Sequence, residues 1–141
     1  MDKIAASGEL DQDIRAQIGS GIYEPKSMQF DRFVNKNEFD RMMSEADVVV
    51  SHAGVGTIAT ALTLNKPLLV LPRRGAFGEH VNDHQVGTAR RYAELGHVLL
   101  AETEDDLPRM LAQLSTFKPK PRIVNAKGIA TRIDHFLREG I

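Results

Sequence analysis

Short apolar runs of this chain alternate with longer segments whose apolar residues recur at helical spacing. One of the runs, Asp47–His52 (DVVVSH), contains three consecutive valines, and another, Pro67–Pro72 (PLLVLP), is almost unbroken, which is typical of a parallel strand that helices cover on both faces. Strands that alternate with helices predict an α/β fold with a parallel sheet and right-handed crossovers. In such sheets, ligands bind at the carboxyl ends of the strands.

The remaining elements follow from the same patterns and from glycine and proline positions. Further strands are predicted over Ile14–Gly19, Met28–Val34 and His97–Ala101. Helices are predicted over Glu38–Ala46, Thr57–Asn65, Asn82–Gly96, Glu104–Phe117 and Asn125–Arg138. We expect Asn82 or Asp83 to cap the third of these helices and Gly96 to end it.

The size of the chain predicts a single domain. Its 141 residues are enough for one core, which we place at about 14–117, with a C-terminal helix at about 125–138. One face of that helix is apolar, and it either packs on the domain's own sheet or docks on a partner. This face consists of Ile129, Ile133, Phe136 and Leu137.

Composition excludes several classes of protein. The formal net charge is -1, and no basic face with interleaved aromatic residues is present, which argues against nucleic-acid binding. The absence of cysteine excludes a disulfide framework and a thiol nucleophile. No apolar run is long enough to span a bilayer, and the segment MDKIAASGELDQD lacks the apolar centre of a signal peptide, so we expect a cytoplasmic protein.

The turn SHAGVGT (Ser51–Thr57) lies between a predicted strand and a predicted helix. Gly54 and Gly56 would let backbone N–H groups approach a phosphate at a helix N-terminus, where Thr57 can cap the helix or donate its hydroxyl. The alternative is that the glycines only form a tight turn, which is the better interpretation of an isolated GxG.

A second polar loop, RRGAFGEHVNDHQ, follows the next predicted strand. Arg73 and Arg74 can neutralise phosphate charge, and the predicted helix start offers side chains suited to sugar hydroxyls. These are Asn82, Asp83, His84 and Gln85. The alternative for each is a solvated loop with an ordinary helix cap.

These loops also contain candidate metal ligands and a candidate base. Glu79, His80, Asp83 and His84 contain two histidines at i,i+4 spacing, but the run crosses a predicted helix start, so we predict no metal site. His52 is a candidate base or phosphate ligand, with a hydrogen bond inside the turn as the alternative.

The motifs SHAGVGTIATAL, KPLLVLPR and GEHVNDHQ, at this spacing, resemble the nucleotide-sugar-binding half of GT-B glycosyltransferases related to MurG. The chain is most similar to small subunits of two-subunit enzymes: the catalytic subunit of the eukaryotic dolichyl-diphosphate N-acetylglucosamine transferase and bacterial exopolysaccharide counterparts of the PssE and EpsF kind. The resemblance covers about residues 17–102. It implies a Rossmann-like sheet with helices on both faces.

The resemblance also implies roles for residues. The donor diphosphate would lie against Gly54, Val55, Gly56 and Thr57, beside Ser51, His52 and Arg73. Donor sugar and phosphate would contact Glu79, His80, Asn82, Asp83, His84 and Gln85. His52 and Glu79 are candidate catalytic residues, and which residue catalyses the transfer stays unknown. No cofactor and no metal are implied.

This chain departs from the family at two points. Thr60 takes the place of a glutamate that holds the ribose hydroxyls, and a threonine cannot make the bidentate contact of a carboxylate. The family's first strand and glycine-threonine turn are also missing, because the segment MDKIAASGEL resembles the end of the helix that follows them. Such a gap leaves unpaired sheet edges, which favours instability or oligomerisation.

The function implied is sugar transfer from a UDP-sugar to a lipid-linked acceptor in polysaccharide or glycolipid biosynthesis. The implied partner is a membrane-anchored subunit that recruits this chain to the inner face of the membrane; a homo-oligomer is a further possibility. The alternatives are a non-catalytic nucleotide-sugar-binding or regulatory module and an unrelated flavodoxin-like phosphate-binding domain.

Overall fold

The computed structural model describes residues 1–10, 12–73 and 84–121. The helices in this part of the chain are α1 (Asp2–Ser7), α2 (Lys36–Glu45), α3 (Val55–Thr63), α4 (His84–Glu94) and α5 (Leu107–Leu114), with a 3-10 turn at Glu104–Asp106 before α5. The strands are β1 (Arg15–Gln17), β2 (Gln29–Asp31), β3 (Val49–Ser51), β4 (Leu68–Val70) and β5 (Leu99–Leu100). The predicted α/β class is confirmed.

The strands form two parallel sheets. β1 pairs with β2, with Ala16 opposite Phe30. β3, β4 and β5 form the second sheet in that order, with Ser51 opposite Val70 and Val70 opposite Leu100. All described strands are therefore parallel, as predicted, and they lie in two sheets because no strand hydrogen-bonds β1 or β2 to β3.

The three-stranded sheet carries a buried apolar cluster on each face. Side chains of a strand alternate between faces, so Leu68 and Val70 pack against α2, α3 and α4, and Leu69 packs against α1 and α5. All three β4 side chains have no exposed surface. This explains the almost unbroken apolar sequence of PLLVLP.

Several predicted boundaries shift. α3 begins at Val55, two residues before the predicted start, because Gly54 adopts an extended conformation and serves as its N-cap. The predicted strand Met28–Val34 ends at Asp31, so Phe33 is exposed. Gly96 follows α4 with φ of 75°, as expected of a residue that ends a helix. The cap at Asn82 or Asp83 and the C-terminal helix lie outside the described residues.

Helix α1 is anchored by its first residue. The Asp2 carboxylate accepts hydrogen bonds from the Tyr23 hydroxyl and from the backbone N–H groups of Lys26 and Ser27, the latter at 2.8 Å. The Tyr23 hydroxyl, followed by these two N–H groups, lowers the pKa of Asp2. Met1 and Ile4 of the same helix pack against the cluster around Leu69. α1 therefore connects the β1–β2 loop to the second sheet.

We expect Asp2→Asn to lower the thermal unfolding midpoint at pH 7 by a few degrees, because an amide replaces the charged acceptor. A lowered pKa in the folded state stabilises the protein above the ordinary carboxyl pKa of about 4, and this stabilisation disappears as the pH falls through the folded-state pKa. The difference in unfolding midpoint between the wild type and the variant should thus disappear at acidic pH. Calorimetric scans from pH 7 to 2 measure it.

The matched control is Asp13→Asn, because Asp13 is exposed and forms no hydrogen bond with the rest of the described chain. This variant should have the same thermal unfolding midpoint as the wild type at pH 7. If both variants melt alike at pH 7, Asp2 does not anchor α1.

Candidate functional site

Two loops leave the same edge of the three-stranded sheet side by side. β3 and β4 are adjacent and parallel, with Ser51 opposite Val70, so residues 52–54 and 71–73 both extend from the carboxyl ends. α3 begins directly after the first loop, and its N-terminus lies at this edge. The sequence prediction that both loops share one edge is confirmed as far as Arg73.

His52 connects the two strand ends. Its Nδ1–H donates a hydrogen bond of 2.8 Å to the backbone carbonyl of Leu71, while the Leu71 N–H donates to the Ser51 carbonyl at 2.9 Å. Nδ1 is therefore hydrogen-bonded to the neighbouring strand end, and not inside the turn as the sequence-based alternative expected. Its other ring nitrogen, Nε2, forms no hydrogen bond with the described residues, and the side chain is exposed.

The glycines of the turn are not required by the turn itself. Gly54 has φ of -72°, and Gly56 lies in the first turn of α3; neither adopts the positive φ that favours glycine. A Cβ atom placed on either residue would meet no atom of the described residues within 4 Å. Neither backbone conformation nor packing within the described part of the chain thus requires the two glycines.

The first turn of α3 presents unused hydrogen-bond donors. The Gly54 N–H donates to the His52 carbonyl at 2.7 Å, and the Ile58 N–H donates to Gly54 at 3.0 Å. The N–H groups of Val55, Gly56 and Thr57 lie between them and find no acceptor among the described residues. Such N–H groups, together with the helix dipole, form a site that favours an anion.

Hydroxyl groups flank these donors. Ser51 and Thr57 are half-buried, and neither hydroxyl bonds to a described residue. Thr60 differs, because its hydroxyl donates to the Gly56 carbonyl one turn earlier at 3.0 Å. Thr60 also lines an open groove between α2 and α3 with Asp40 and Thr63. Its hydroxyl oxygen can still accept a hydrogen bond, so its predicted ribose contact stays a prediction.

Arg73 supplies positive charge at this edge. Its side chain is exposed, and within the described part of the chain it forms no ion pair. Other arginines are neutralised locally, such as Arg90, whose Nη2 lies 2.9 Å from Glu102, and Arg15, at 2.9 Å from Asp31. Arg73 is therefore available to an anionic ligand beside α3.

Gln85 carries an unsatisfied polar atom at the start of α4. Its side-chain oxygen is buried and accepts no hydrogen bond from any residue that the structure describes. A buried acceptor without a donor costs about 1–3 kcal/mol, a cost that a ligand hydroxyl or N–H can remove. The described part of α4 begins at His84. Arg74, Glu79, His80, Asn82 and Asp83 lie outside the described residues, and their roles stay predictions.

Among the described residues, no group of three or more histidine, aspartate or glutamate side chains is placed to hold a metal ion. In the same part of the chain, no helix is long and apolar enough to cross a membrane.

Sequence reasoning missed a set of exposed apolar side chains near strand ends. Ile22 and Phe33 follow β1 and β2 and are 98% and 71% exposed, and Val55 follows β3 at 66%. The sequence predicts that Phe33 lies in a strand and that Val55 lies in the loop before a helix. No periodicity marks them, because each lies in a loop or a helix end where exposure depends on tertiary packing.

Comparison with known proteins identifies the architecture. Residues 2–135 match the model of the glycosyltransferase family 28 C-terminal domain. The chain belongs to this family. The match includes both loops of the candidate site, and the predicted resemblance to GT-B glycosyltransferases is confirmed.

Individual relatives support this family assignment. The chain is 40% identical over 77 residues to the UDP-N-acetylglucosamine transferase subunit ALG13 of Saccharomyces cerevisiae, and the alignment covers 54% of this chain and 36% of that protein. The subunit of the same name from Cryptococcus neoformans is 38% identical over 71 residues, covering 49% and 34%. The chain thus spans about a third of the length of these curated relatives.

A solved structure shows the same fold. The alignment with the kitacinnamycin glycotransferase covers 96% of this chain and 33% of that chain, with a TM-score of 0.58 and 22% sequence identity. The parallel strands and flanking helices of the described residues thus belong to a fold that this chain shares with that glycotransferase.

Proposed function

We propose that this chain is the donor-binding subunit of a glycosyltransferase that uses UDP-N-acetylglucosamine. Family membership supports a sugar transferase, and the relatives named UDP-N-acetylglucosamine transferase subunits support the donor and the division of the enzyme into subunits. The proposal of donor binding is carried by one observation: two glycines that neither conformation nor packing requires lie at a helix end with free N–H groups.

The donor diphosphate lies, in this proposal, against the first turn of α3. Backbone N–H groups of Val55, Gly56 and Thr57 donate to it, and close approach is possible because Gly54 and Gly56 leave the surface open. Arg73 neutralises part of its charge. When the sugar leaves, negative charge grows on the diphosphate, and donors already oriented toward it stabilise that charge without rearrangement. This arrangement makes transfer independent of a metal ion.

The sugar and ribose contacts are assigned to the second loop and to the start of α4. Gln85 offers a buried oxygen that needs a donor, which a sugar hydroxyl provides. Asn82, Asp83 and His84 are the neighbouring candidates, with Glu79 and His80 before them. His52 is the candidate base, because its Nδ1–H bond to Leu71 orients the ring and leaves Nε2 to act on the acceptor hydroxyl.

The acceptor is lipid-linked and is presented by a membrane-anchored partner subunit at the cytoplasmic face. The exposed side chains of Ile22 and Phe33, after β1 and β2, and of Val55, at the start of α3, support contact with a second protein, because apolar surface of this kind is enriched where proteins meet. Polysaccharide or glycolipid biosynthesis is the process we assign to it.

Arg73→Met should weaken UDP binding about tenfold, equivalent to about 1.4 kcal/mol, because it removes a charge beside the diphosphate while keeping much of the apolar stem. Isothermal titration calorimetry at low and high salt measures this. The wild type should lose more affinity with salt than the variant, since screening acts on the charge that the variant lacks.

The matched control is Lys118→Met, which removes an equal charge from an exposed residue after α5. It should bind UDP like the wild type. Equal binding by Arg73→Met and Lys118→Met would exclude Arg73 from the donor site.

A further inference from the structure

A third loop leaves the sheet at the edge that carries the candidate site. β5 lies beside β4, with Leu100 opposite Val70, and the two strands are parallel. Glu102 follows β5 by two residues, just as Pro72 follows β4 by two residues. The loop after β5 therefore brings a carboxylate to the same edge as the loop that leads to Arg73.

The Glu102 carboxylate is joined to α4 through Arg90. Arg90 Nε donates to one carboxylate oxygen at 3.1 Å, and Nη2 donates to the other at 2.9 Å. A pair of parallel hydrogen bonds fixes the orientation of the guanidinium as well as its distance. The pair therefore holds α4 against the carboxyl end of β5 in a defined position.

The backbone of Glu102 is fixed from the other face of the sheet. Its N–H donates to the Asp106 carboxylate at 3.1 Å, and the Thr103 N–H donates to the same oxygen at 3.0 Å. Asp106 leads into α5, which packs on the face of the sheet opposite to α4. Glu102 is thus a fixed support, and Arg90 attaches α4 to it.

Gln85 belongs to the face of α4 that packs on the sheet. Positions 85, 89, 92 and 93 recur at the spacing of one helix face. Ala89 has no exposed surface, and Tyr92 and Ala93 pack against the cluster that contains Val70. α4 connects the carboxyl end of β4 to the amino end of β5, so Gln85 is the member of this face nearest to the candidate site.

Apolar packing alone does not fix where Gln85 lies. Ala89 and Ala93 are small, and apolar contacts are non-directional, so they allow the helix to rotate or slide. The Gln85 oxygen is buried and receives no hydrogen bond from the described residues, so its burial opposes this position of the helix. Arg90 directly follows Ala89 and supplies the directional contact that packing lacks.

We propose that Arg90 is a positioning residue for sugar recognition: its paired hydrogen bonds to Glu102 hold α4 so that the Gln85 oxygen faces the donor sugar. The inference rests on the proposed function, in which a sugar hydroxyl donates to Gln85. The diphosphate contacts are separate, because α3 and Arg73 supply them. The Arg90–Glu102 pair therefore controls the part of the affinity that the sugar contributes and not the part that UDP contributes.

Arg90→Lys tests this, because lysine keeps the charge but cannot form the two parallel hydrogen bonds. In the nucleotide-free protein, the side-chain amide resonances of Gln85 should shift, while those of Asn35, which caps α2, should not. Calorimetry should show about tenfold weaker binding of UDP-N-acetylglucosamine and unchanged binding of UDP. In a Gln85→Ala background, Arg90→Lys should cause no further loss, since the two residues act through one contact.

The matched control is Arg91→Lys, the same substitution at the next residue of α4, where Arg91 pairs with Glu94 at 3.5 Å on the same helix. It should leave the Gln85 resonances and both affinities unchanged. Equal Gln85 shifts in the two lysine variants, an equal loss of UDP and UDP-N-acetylglucosamine affinity in Arg90→Lys, or additive losses with Gln85→Ala would each overturn the proposal. If the wild type binds neither nucleotide, the donor-binding proposal fails, and with it the role in sugar recognition; the Gln85 resonances then still decide whether Arg90 positions α4.

Discussion

Gly56→Val is expected to weaken UDP binding by about a hundredfold or more, equivalent to about 2.7 kcal/mol. The added side chain occupies the space that the diphosphate needs in order to reach the N–H groups of Val55, Gly56 and Thr57. The described part of the chain has room for it, because a Cβ atom at this position meets none of its atoms within 4 Å. The variant should therefore fold and fail only in binding. Calorimetric titration with UDP and with UDP-N-acetylglucosamine measures the loss.

Thr63→Val is the matched control for this experiment. It places the same side chain on the same helix, two turns further along, at an exposed position. Its UDP affinity should equal that of the wild type, and circular dichroism should show both variants folded. A folded wild type that releases no heat with either nucleotide would refute donor binding altogether. Full affinity in Gly56→Val would move the site away from α3.

Transfer is expected to be absent from the purified chain and to appear only with a partner subunit. In the proposed function the chain supplies only the donor side of the site, and the relatives that it resembles are named as subunits. The assay combines the chain, UDP-[14C]N-acetylglucosamine and membranes from a source strain that lacks the gene. Label should enter the lipid extract only when chain and native membranes are mixed.

Heat-treated membranes provide the control, because heating destroys a protein partner and keeps the lipid acceptor. They should support no transfer, and Gly56→Val should be inactive with native membranes. Equal transfer with heated and native membranes would contradict the need for a partner. A chain that binds UDP and yet transfers no sugar in any mixture would be a binding module, the alternative that the sequence left open.

The sequence alone determined the local elements and predicted where a ligand would bind. Val49–Ser51 and Leu68–Val70 were predictable because a strand buried on both faces needs consecutive apolar residues, and SHAGVGT was predicted as a site because glycines lay between a strand and a helix. The motif resemblance placed the chain in its family. These signals are local, since each depends on residues that are neighbours in sequence.

Tertiary structure alone decided which strands pair and which groups are left free. Hydrogen bonds between strands join residues far apart in sequence, so no local pattern showed that β1 and β2 form a sheet separate from β3, β4 and β5. The bond from His52 to Leu71, the free N–H groups of α3 and the exposure of Phe33 also depend on distant neighbours. Only the backbone angles showed that Gly54 and Gly56 are not needed for the turn, because a glycine in the sequence does not reveal the φ that it adopts.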